Sequence, residues 1–154
     1  MLIEGKFITP DNDMSDINNI RYKVFIEELK IKEDMICDGL DEKALHVVIY
    51  ENDNNKKYPV AGGRIIIEAD HGLISHVAVI KDFRGKGYGD LVVRMLVNKA
   101  FEKNIPIAYV NTPINCRRFF EKIGFTSIDN ESKNCNKEYK KMVLYKEKNT
   151  RKCM

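Results

Sequence analysis

Apolar residues recur along the chain first at strand spacing and then at helical spacing, and their order predicts a mixed α/β fold. Residues 2–8 form a short predicted strand that Thr9-Pro10 ends. A stripe at helical spacing follows, made of Ile17, Ile20, Val24, Phe25 and Leu29. This stripe predicts a helix with one face turned to the core. The charged segment 30–42, which contains Asp38-Gly39, is predicted as a loop or a short second helix.

Three sequential strands are predicted next, at residues 46–50, 60–69 and 73–80. β-Branched residues dominate the first of them, which is typical of a buried strand. The polar stretch 51–57 is predicted as the tip of a hairpin, and Asp70-His71-Gly72 as the next turn. Because the connections are short, the three strands are predicted to form an antiparallel meander.

The second half begins with a predicted helix whose apolar face holds Leu91, Val92, Met95, Leu96 and Ala100. A strand at residues 107–111 should run parallel to the strand before this helix, in a right-handed crossover. A short helix at about 115–123 should end at Gly124, and residues 125–128 and 142–145 give two last strands. The predicted fold class is α/β, a single domain with a mixed central sheet of about six or seven strands flanked by helices.

A length of 154 residues suits one domain, and 44% hydrophobic and 32% charged residues are typical of a soluble globular protein. We predict the domain at residues 1–147 and a short basic tail at 148–154. No apolar run reaches the roughly 18 residues of a membrane helix, and the first residues lack the layout of a signal peptide, so we predict a cytoplasmic protein without a membrane partner. Free thiols, no metal site and a loose tail around the last cysteine are predicted from the scattered positions of Cys37, Cys116, Cys135 and Cys153.

Charge is distributed unevenly along the chain. Residues 1–54 carry 13 acidic and 6 basic side chains, whereas residues 55–154 carry 10 acidic and 20 basic ones. A basic half is one sign of nucleic-acid binding, but here no stripe of basic residues alternates with aromatic ones. Scattered, solvated surface charge is the simpler interpretation, so no nucleic-acid partner is predicted.

A glycine-rich segment, Arg84-Gly85-Lys86-Gly87-Tyr88-Gly89, lies between a predicted strand and a predicted helix. Glycines there permit positive φ and a close approach of the backbone to a ligand. Successive N–H groups and the positive end of the helix dipole then create a site for an anion such as a pyrophosphate. The spacing of the glycines fits neither the P-loop nor the dinucleotide-binding fingerprint.

Together with the preceding Val77-Ala78-Val79, this loop resembles the acetyl-CoA signature R-x-x-G-x-G of the GNAT N-acetyltransferase superfamily. A second match, Arg118 to Phe125, resembles the family's helix-turn-strand element F-Y-E-K-x-G-F. The front half, in residues 21–28 and 38–41 together with His46, is similar to the ElaA-like branch. The resemblance spans about residues 14–146. It implies an enzyme that transfers an acetyl group from acetyl-CoA to a primary amine by direct attack, without an acyl-enzyme.

The resemblance also implies roles for single residues. The backbone of Val77 and Val79 would pair with the pantetheine arm of the coenzyme, and a backbone N–H near Val79 would polarise the thioester carbonyl. The amides of the glycine loop would hold the pyrophosphate, and Asn111 would bond the pantetheine amides. The implied coenzyme contacts are Val77, Val79, Arg84, Gly85, Lys86, Gly87, Tyr88, Gly89, Asn111 and Phe120.

One position departs from the family pattern. Phe120 stands where many members have a tyrosine that protonates the leaving thiolate, and phenylalanine has no proton to donate. Either the thiolate leaves unassisted, or Tyr109, Tyr88 or Tyr139 supplies the proton. The departure also leaves open an alternative function, a catalytically impaired domain that binds coenzyme A and serves a regulatory role.

A general base must take a proton from the acceptor amine, whose pKa is about 10.4. His76 on the coenzyme strand is the catalytic candidate. Strict alternation places it on the sheet face opposite to Ser75 and Val77, so a β-bulge would have to re-aim it, and simple filling of that face is the competing interpretation. Further candidates are His46, Glu28, Glu68 and Asp38.

The acceptor is predicted from local charge. Residues 27–42 hold seven acidic side chains and two lysines, and in the resembled fold the segment after the first helix forms a wall of the acceptor groove. Because an acidic wall attracts cations, we predict a positively charged acceptor, with Glu28 and Asp38 as candidate substrate contacts. Such an acceptor is a small-molecule amine or the lysine or N-terminal amine of a peptide. A solvated helix face is the alternative explanation for these carboxylates, and the sequence leaves a homodimer open.

Overall fold

Strand pairing organises the chain around one sheet. The computed structural model describes residues 2–128 and 139–146. Its strands are β1 (Leu2–Ile8), β2 (Ala44–Asp53), β3 (Lys56–Ile67), β4 (Gly72–Val79), β5 (Ile107–Pro113), β6 (Thr126–Ser127) and β7 (Tyr139–Tyr145). They form a seven-stranded sheet in the order β1-β2-β3-β4-β5-β7-β6. Among these strands β4 and β5 pair in parallel and the other neighbours pair antiparallel. The predicted meander, parallel crossover and mixed α/β sheet are therefore confirmed.

The helices flank this sheet. They are α1 (Ser15–Arg21), which continues as a π-helical segment (Tyr22–Glu28), α2 (Glu33–Ile36), α3 (Tyr88–Glu102) and α4 (Arg117–Ile123). The segment predicted as a loop or a short second helix thus contains α2. Gly124, with a φ of 122°, ends α4 as predicted. In the part of the chain that the structure describes, no helix has the length and apolar character needed to cross a membrane.

Each face of the sheet has its own hydrophobic core. α3 and α4 cover one face, where buried side chains such as Val92 and Leu96 join the larger cluster. α1 covers the other face, where Ile17 and Ile20 pack in a smaller cluster. The backbone at Gly63 of β3 lies against α3, and a Cβ added there would be only 2.8 Å from Cγ1 of Val92. The parallel crossover therefore packs closely on the centre of the sheet.

The β2–β3 hairpin is longer than predicted. Pairing continues to Asp53 opposite Lys56, and the turn consists of Asn54 and Asn55. These asparagines have positive φ values of 50° and 67°, as a two-residue type I′ turn requires. The prediction of a polar tip at 51–57 was wrong because polar side chains at the exposed end of a hairpin are compatible with strand pairing.

Leu29 also departs from its predicted place on the core-facing stripe, since its side chain is 53% exposed. Its backbone N–H donates to the carbonyl of Val24, five residues earlier, at 3.0 Å. This wider turn breaks the helical spacing on which the prediction rested. Of the remaining sequence predictions, those for Cys135, Cys153 and the tail at 148–154 lie outside the described residues, while Cys37 and Cys116 are exposed free thiols.

Candidate functional site

An opening in the sheet between β4 and β5 forms the centre of the candidate site. The two strands pair only where Gly72 to Ile74 face Ala108 to Val110, although β4 runs on to Val79. Among the described residues, no strand pairs with β4 on this side beyond Ile74. Its backbone there is placed to bond an extended, amide-containing ligand, as an added strand would be bonded.

A β-bulge shapes β4 inside this opening. Arg64 on β3 pairs with Ser75, and the next pair joins residues 62 and 78, so that His76 and Val77 oppose a single residue. His76 has a φ of 57°, which is uncommon for a residue other than glycine. The bulge places His76 beside Ser75 on the face that α1 covers, with Nδ1 2.9 Å from Oγ. This corrects the expectation from strict alternation that the two side chains lie on opposite faces.

Both ring nitrogens of His76 have partners. Nε2 lies 3.0 Å from the carbonyl oxygen of Ile36, which can only accept, so Nε2 carries the proton and Nδ1 accepts from the Ser75 hydroxyl. Burial lowers the pKa of His76, and the charge of Arg64 lowers it further. The ring is therefore neutral near pH 7, and the lone pair of Nδ1 accepts the hydrogen bond from the Ser75 hydroxyl. The role of His76 as general base stays a prediction.

Arg64 holds the acidic segment, residues 27–42, against the sheet. Its side chain is 3% exposed and donates to Asp38 at 2.5 and 2.9 Å, to Asp41 at 2.9 Å and to Ser75 at 2.9 Å. The bonds from Arg64 lower the pKa of Asp38. Burial alone would raise the pKa of Asp41, but bonds from Arg21 and Arg64 outweigh it and lower that pKa. Asp38, a predicted substrate contact, is thus engaged by an arginine.

His46 belongs to the same buried region. Its side chain is fully buried, and Nε2 lies 3.1 Å from the carbonyl oxygen of Asp41. Burial lowers the pKa of His46, so the ring is neutral and donates this bond. The contact fixes the chain just before β2, which supports the structural interpretation of this residue.

The glycine loop has the conformation that an anion site needs. Gly85 and Gly87 have φ values of 82° and 84°, and α3 starts at the next residue, Tyr88. A Cβ added at either glycine would meet no other atom within 4 Å. Glycine is required at these positions by the backbone conformation rather than by crowding, and open space lies over the loop at the start of the helix. These features fit a pyrophosphate bound by backbone N–H groups.

Arg84, at the start of the loop, is bonded within the protein. Its NH1 and NH2 groups donate to the two carboxylate oxygens of Glu28 at 2.7 and 2.6 Å, and Nε donates to the carbonyl of Val79 at 2.9 Å. The bonds from Arg84 lower the pKa of Glu28. Glu28, predicted as a substrate contact and a candidate base, is therefore an ionised partner of Arg84 in the glycine loop.

Glu51 fixes the other end of the loop, and sequence reasoning missed it. The residue is 7% exposed and its carboxylate accepts from the Tyr88 hydroxyl at 2.5 Å and from Lys86 Nζ at 3.2 Å. Burial raises the pKa of Tyr88 to about 12, and the bond to Glu51 adds to the rise. The Tyr88 hydroxyl thus donates its hydrogen bond to Glu51, which argues against Tyr88 as the acid that protonates the thiolate. The alternation of Val47, Ile49 and Glu51 on one face of β2 was the signal that could have revealed this carboxylate.

Phe120 lies in the larger hydrophobic core. It is 4% exposed and packs edge-on against Phe119 and Phe125, with ring centroids 4.9 and 5.5 Å away. A Cβ added at Gly89 would lie 3.3 Å from the Phe119 ring and 3.5 Å from the Val79 side chain. Phe119 therefore lies close to the start of α3 and to the end of β4, with Phe120 packed against it.

The other candidates are Tyr109 and Asn111 on β5 and Tyr139 on β7. Tyr109 lies in the paired part, where its ring contacts His71 at 5.6 Å. Asn111 is exposed just beyond the last residue pair with β4. Tyr139 lines a surface cavity of about 420 Å³ at the end of β5, together with Pro113, Ile114 and Asn115. Asn111 therefore borders the opening and Tyr109 does not, whereas Tyr139 pairs with Pro113 on the side of β5 away from β4.

Known proteins share this architecture. The sequence matches the acetyltransferase (GNAT) family over residues 13–125. It is 23% identical over 115 residues to YjcF of Bacillus subtilis (strain 168), an uncharacterized N-acetyltransferase, covering 75% of this chain and 79% of YjcF. The crystal structure of Escherichia coli ElaA has a TM-score of 0.77 at 18% identity, with 92% and 99% of the two chains covered. At the level of the fold, this likeness agrees with the resemblance of the front half to the ElaA-like branch.

A second similar structure contains coenzyme A. PaiA N-acetyltransferase from Thermoplasma acidophilum, solved in complex with coenzyme A, has a TM-score of 0.69 at 11% identity. The two chains are covered over 94% and 99% of their lengths. A likeness at this level of identity describes a common fold.

Proposed function

This chain belongs to the acetyltransferase (GNAT) family, and we propose that it transfers an acetyl group from acetyl-coenzyme A to a primary amine. One observation carries the proposal. Beyond Ile74 no strand among the described residues pairs with β4 on the β5 side, and β4 leads through one 3-10 turn to the left-handed glycines that precede α3. A strand edge suits the amides of a pantetheine arm and the loop suits its pyrophosphate, so the two features together match coenzyme A. The coenzyme A complex of the similar PaiA protein supports this choice of donor.

The chain's own residues position the reaction. Acetyl-coenzyme A supplies the acetyl group as a thioester, and the amine nitrogen forms the new bond to carbon as the carbon–sulfur bond breaks and the thiolate leaves. A backbone N–H of β4 near Val79 polarises the carbonyl, a contribution typically of ~3 kcal/mol. Because His76, Glu28 and Asp38 are each engaged by neighbouring groups, we propose that water carries the proton away from the amine.

No side-chain acid is needed for the leaving group in this proposal. Phe120 provides no proton, and Tyr88 donates to Glu51. A thiol is a moderately weak acid with a pKa of about 8.5, so its thiolate leaves without protonation. Tyr139, which lines the cavity at the end of β5, stays only a predicted alternative to unassisted departure of the thiolate.

Acetyl-CoA and coenzyme A should both stabilise the folded chain, because a ligand that binds only the folded state shifts the unfolding equilibrium. We expect the melting temperature to rise by several degrees at saturating ligand, measured by differential scanning fluorimetry. Release of the coenzyme thiol, followed with a thiol reagent across a panel of amines, then separates an active transferase from the impaired binding domain. Unchanged melting with both ligands would contradict the proposed donor.

The acceptor we propose is a cationic amine, such as a polyamine, an aminoglycoside or a lysine-rich peptide. In the acidic segment three carboxylates are paired with arginines, those of Glu28, Asp38 and Asp41. Four others are exposed, those of Glu27, Glu33, Asp34 and Glu42. These exposed carboxylates support attraction of a cation over a distance rather than a fixed ion pair.

A dicationic amine should therefore react with higher kcat/KM than an amine of similar length with a neutral tail. The preference should shrink as salt is raised, because ions screen exposed charges beyond about 8–10 Å. Steady-state kinetics for the two amines at low and high ionic strength measure the effect. Faster reaction of neutral or anionic acceptors, or a preference that salt does not change, would contradict a cationic acceptor.

We further propose the cytoplasm as the compartment, in keeping with the exposed free thiols of Cys37 and Cys116. The homodimer stays a prediction.

A further inference from the structure

Arg84 connects three parts of the candidate site through its side chain. Nε donates to the last carbonyl of β4, at Val79, and the two terminal nitrogens donate to the two oxygens of Glu28. The side chain therefore extends from the glycine loop, across the end of β4, to the π-helical segment that follows α1. A planar guanidinium that makes two parallel bonds to a carboxylate fixes both position and orientation.

Glu28 occupies the last position of the π-helical segment, at the start of the acidic segment that we assign to the acceptor wall. The backbone beyond it bonds back in wide turns, with Leu29 N–H donating to the carbonyl of Val24 and Ile31 N–H to that of Phe25, at 3.0 and 2.8 Å. Hydrogen exchange of these two amides therefore reports whether the last turns of the helix are hydrogen-bonded. π-Helical turns are rare and occur frequently at functional sites.

We propose that Glu28 is a positioning residue that joins the coenzyme loop to the start of the acceptor wall. The inference rests on the proposed function, since it assumes that coenzyme A binds at the glycine loop. Coenzyme bound there holds the backbone of Arg84, Arg84 holds Glu28, and Glu28 holds the end of the helix. Coupling between two sites is reciprocal. The Arg84–Glu28 ion pair that orders the helix end therefore also strengthens coenzyme binding.

Glu27 offers a matched control, because it is a neighbouring carboxylate on the same segment and its side chain is exposed. Glu28→Gln and Glu27→Gln remove the same charge at almost the same place, but only Glu28 contacts the loop. We expect Glu28→Gln to weaken coenzyme A binding about threefold to fivefold, the range for a partly exposed ion pair. Glu27→Gln should change it by less than about twofold. Isothermal titration calorimetry with coenzyme A measures both, and thermal melting without ligand checks that both variants fold.

Hydrogen exchange separates this role from a merely structural one. Coenzyme A should slow exchange of the Leu29 and Ile31 amides in the wild-type chain and in Glu27→Gln, and should leave them unchanged in Glu28→Gln. Equal coenzyme affinities for the two variants, or equal protection of these amides, would overturn the inference while the proposed donor stands. Failure of the wild-type chain to bind coenzyme A would overturn the proposed donor and the inference with it.

Discussion

Replacing Gly87 with valine should weaken coenzyme A binding by roughly tenfold or more while the chain still folds. Gly87 has a φ of 84° directly before α3, and an L-residue in this conformation costs about 1–2 kcal/mol, more if it is β-branched. Relief of that strain turns the N–H groups at the start of α3 away from a common point, and these groups form the proposed anion site. Titration calorimetry with coenzyme A, together with circular dichroism of the variant, measures the two expectations.

Gly39 supplies the control for this experiment. It also has a positive φ, 78°, and a Cβ added there would meet no atom within 4 Å. Gly39→Val therefore imposes the same kind of strain in the acidic segment, outside the glycine loop. We expect a similar loss of stability and a coenzyme affinity within about twofold of the wild type. Equal losses of affinity in the two variants would show that strain in general is responsible, and normal affinity in a folded Gly87→Val would place the anion elsewhere.

Local patterns in the sequence predicted most of the secondary structure. The strand predicted at residues 2–8 has the same bounds as β1, and the predicted face of α3 contains Val92, Leu96 and Ala100, which are fully buried. The conformation of a helix or strand depends largely on its own periodicity and on the residues that end it. The glycine loop was identifiable for the same reason, because its signal lies within six consecutive residues.

Local sequence patterns did not predict the polar contacts that complete the candidate site. Arg64 and Asp38 are 26 positions apart, and Arg84 and Glu28 are 56 apart, so their pairing depends on strand register and loop path. The bulge at His76 has a similar origin, since it is a property of how β3 and β4 align. Propensity and spacing contain no information on which distant polar groups meet, whereas the hydrophobic pattern constrains only which face they occupy.

Among single changes to the contacts between the acidic segment and the sheet, loss of the Arg64 side chain should be the most destabilising. Arg64→Met keeps an unbranched chain of similar length but leaves the carboxylates of Asp38 and Asp41 without a shared cation. Removal of one partner from a buried ion pair leaves uncompensated charge, so we expect the free energy of unfolding to fall by about 3 kcal/mol. The carboxylates are 30% and 33% exposed, which keeps the loss near the lower end of the usual range. Urea denaturation at pH 7 measures it.

The dependence of stability on pH distinguishes loss of this ion pair from loss of packing. Bonds from Arg64 depress the folded-state pKa of Asp38, so the stabilisation they provide is present above the unfolded pKa of about 3.9 and is lost as the pH falls through the folded value. Wild-type stability should therefore fall more steeply than that of Arg64→Met as acid is added below about pH 5. Arg94→Met, which removes an exposed pair with Asp90, should cost less than about 0.5 kcal/mol. Parallel acid profiles for wild type and Arg64→Met would show that Arg64 stabilises the acidic segment by packing alone.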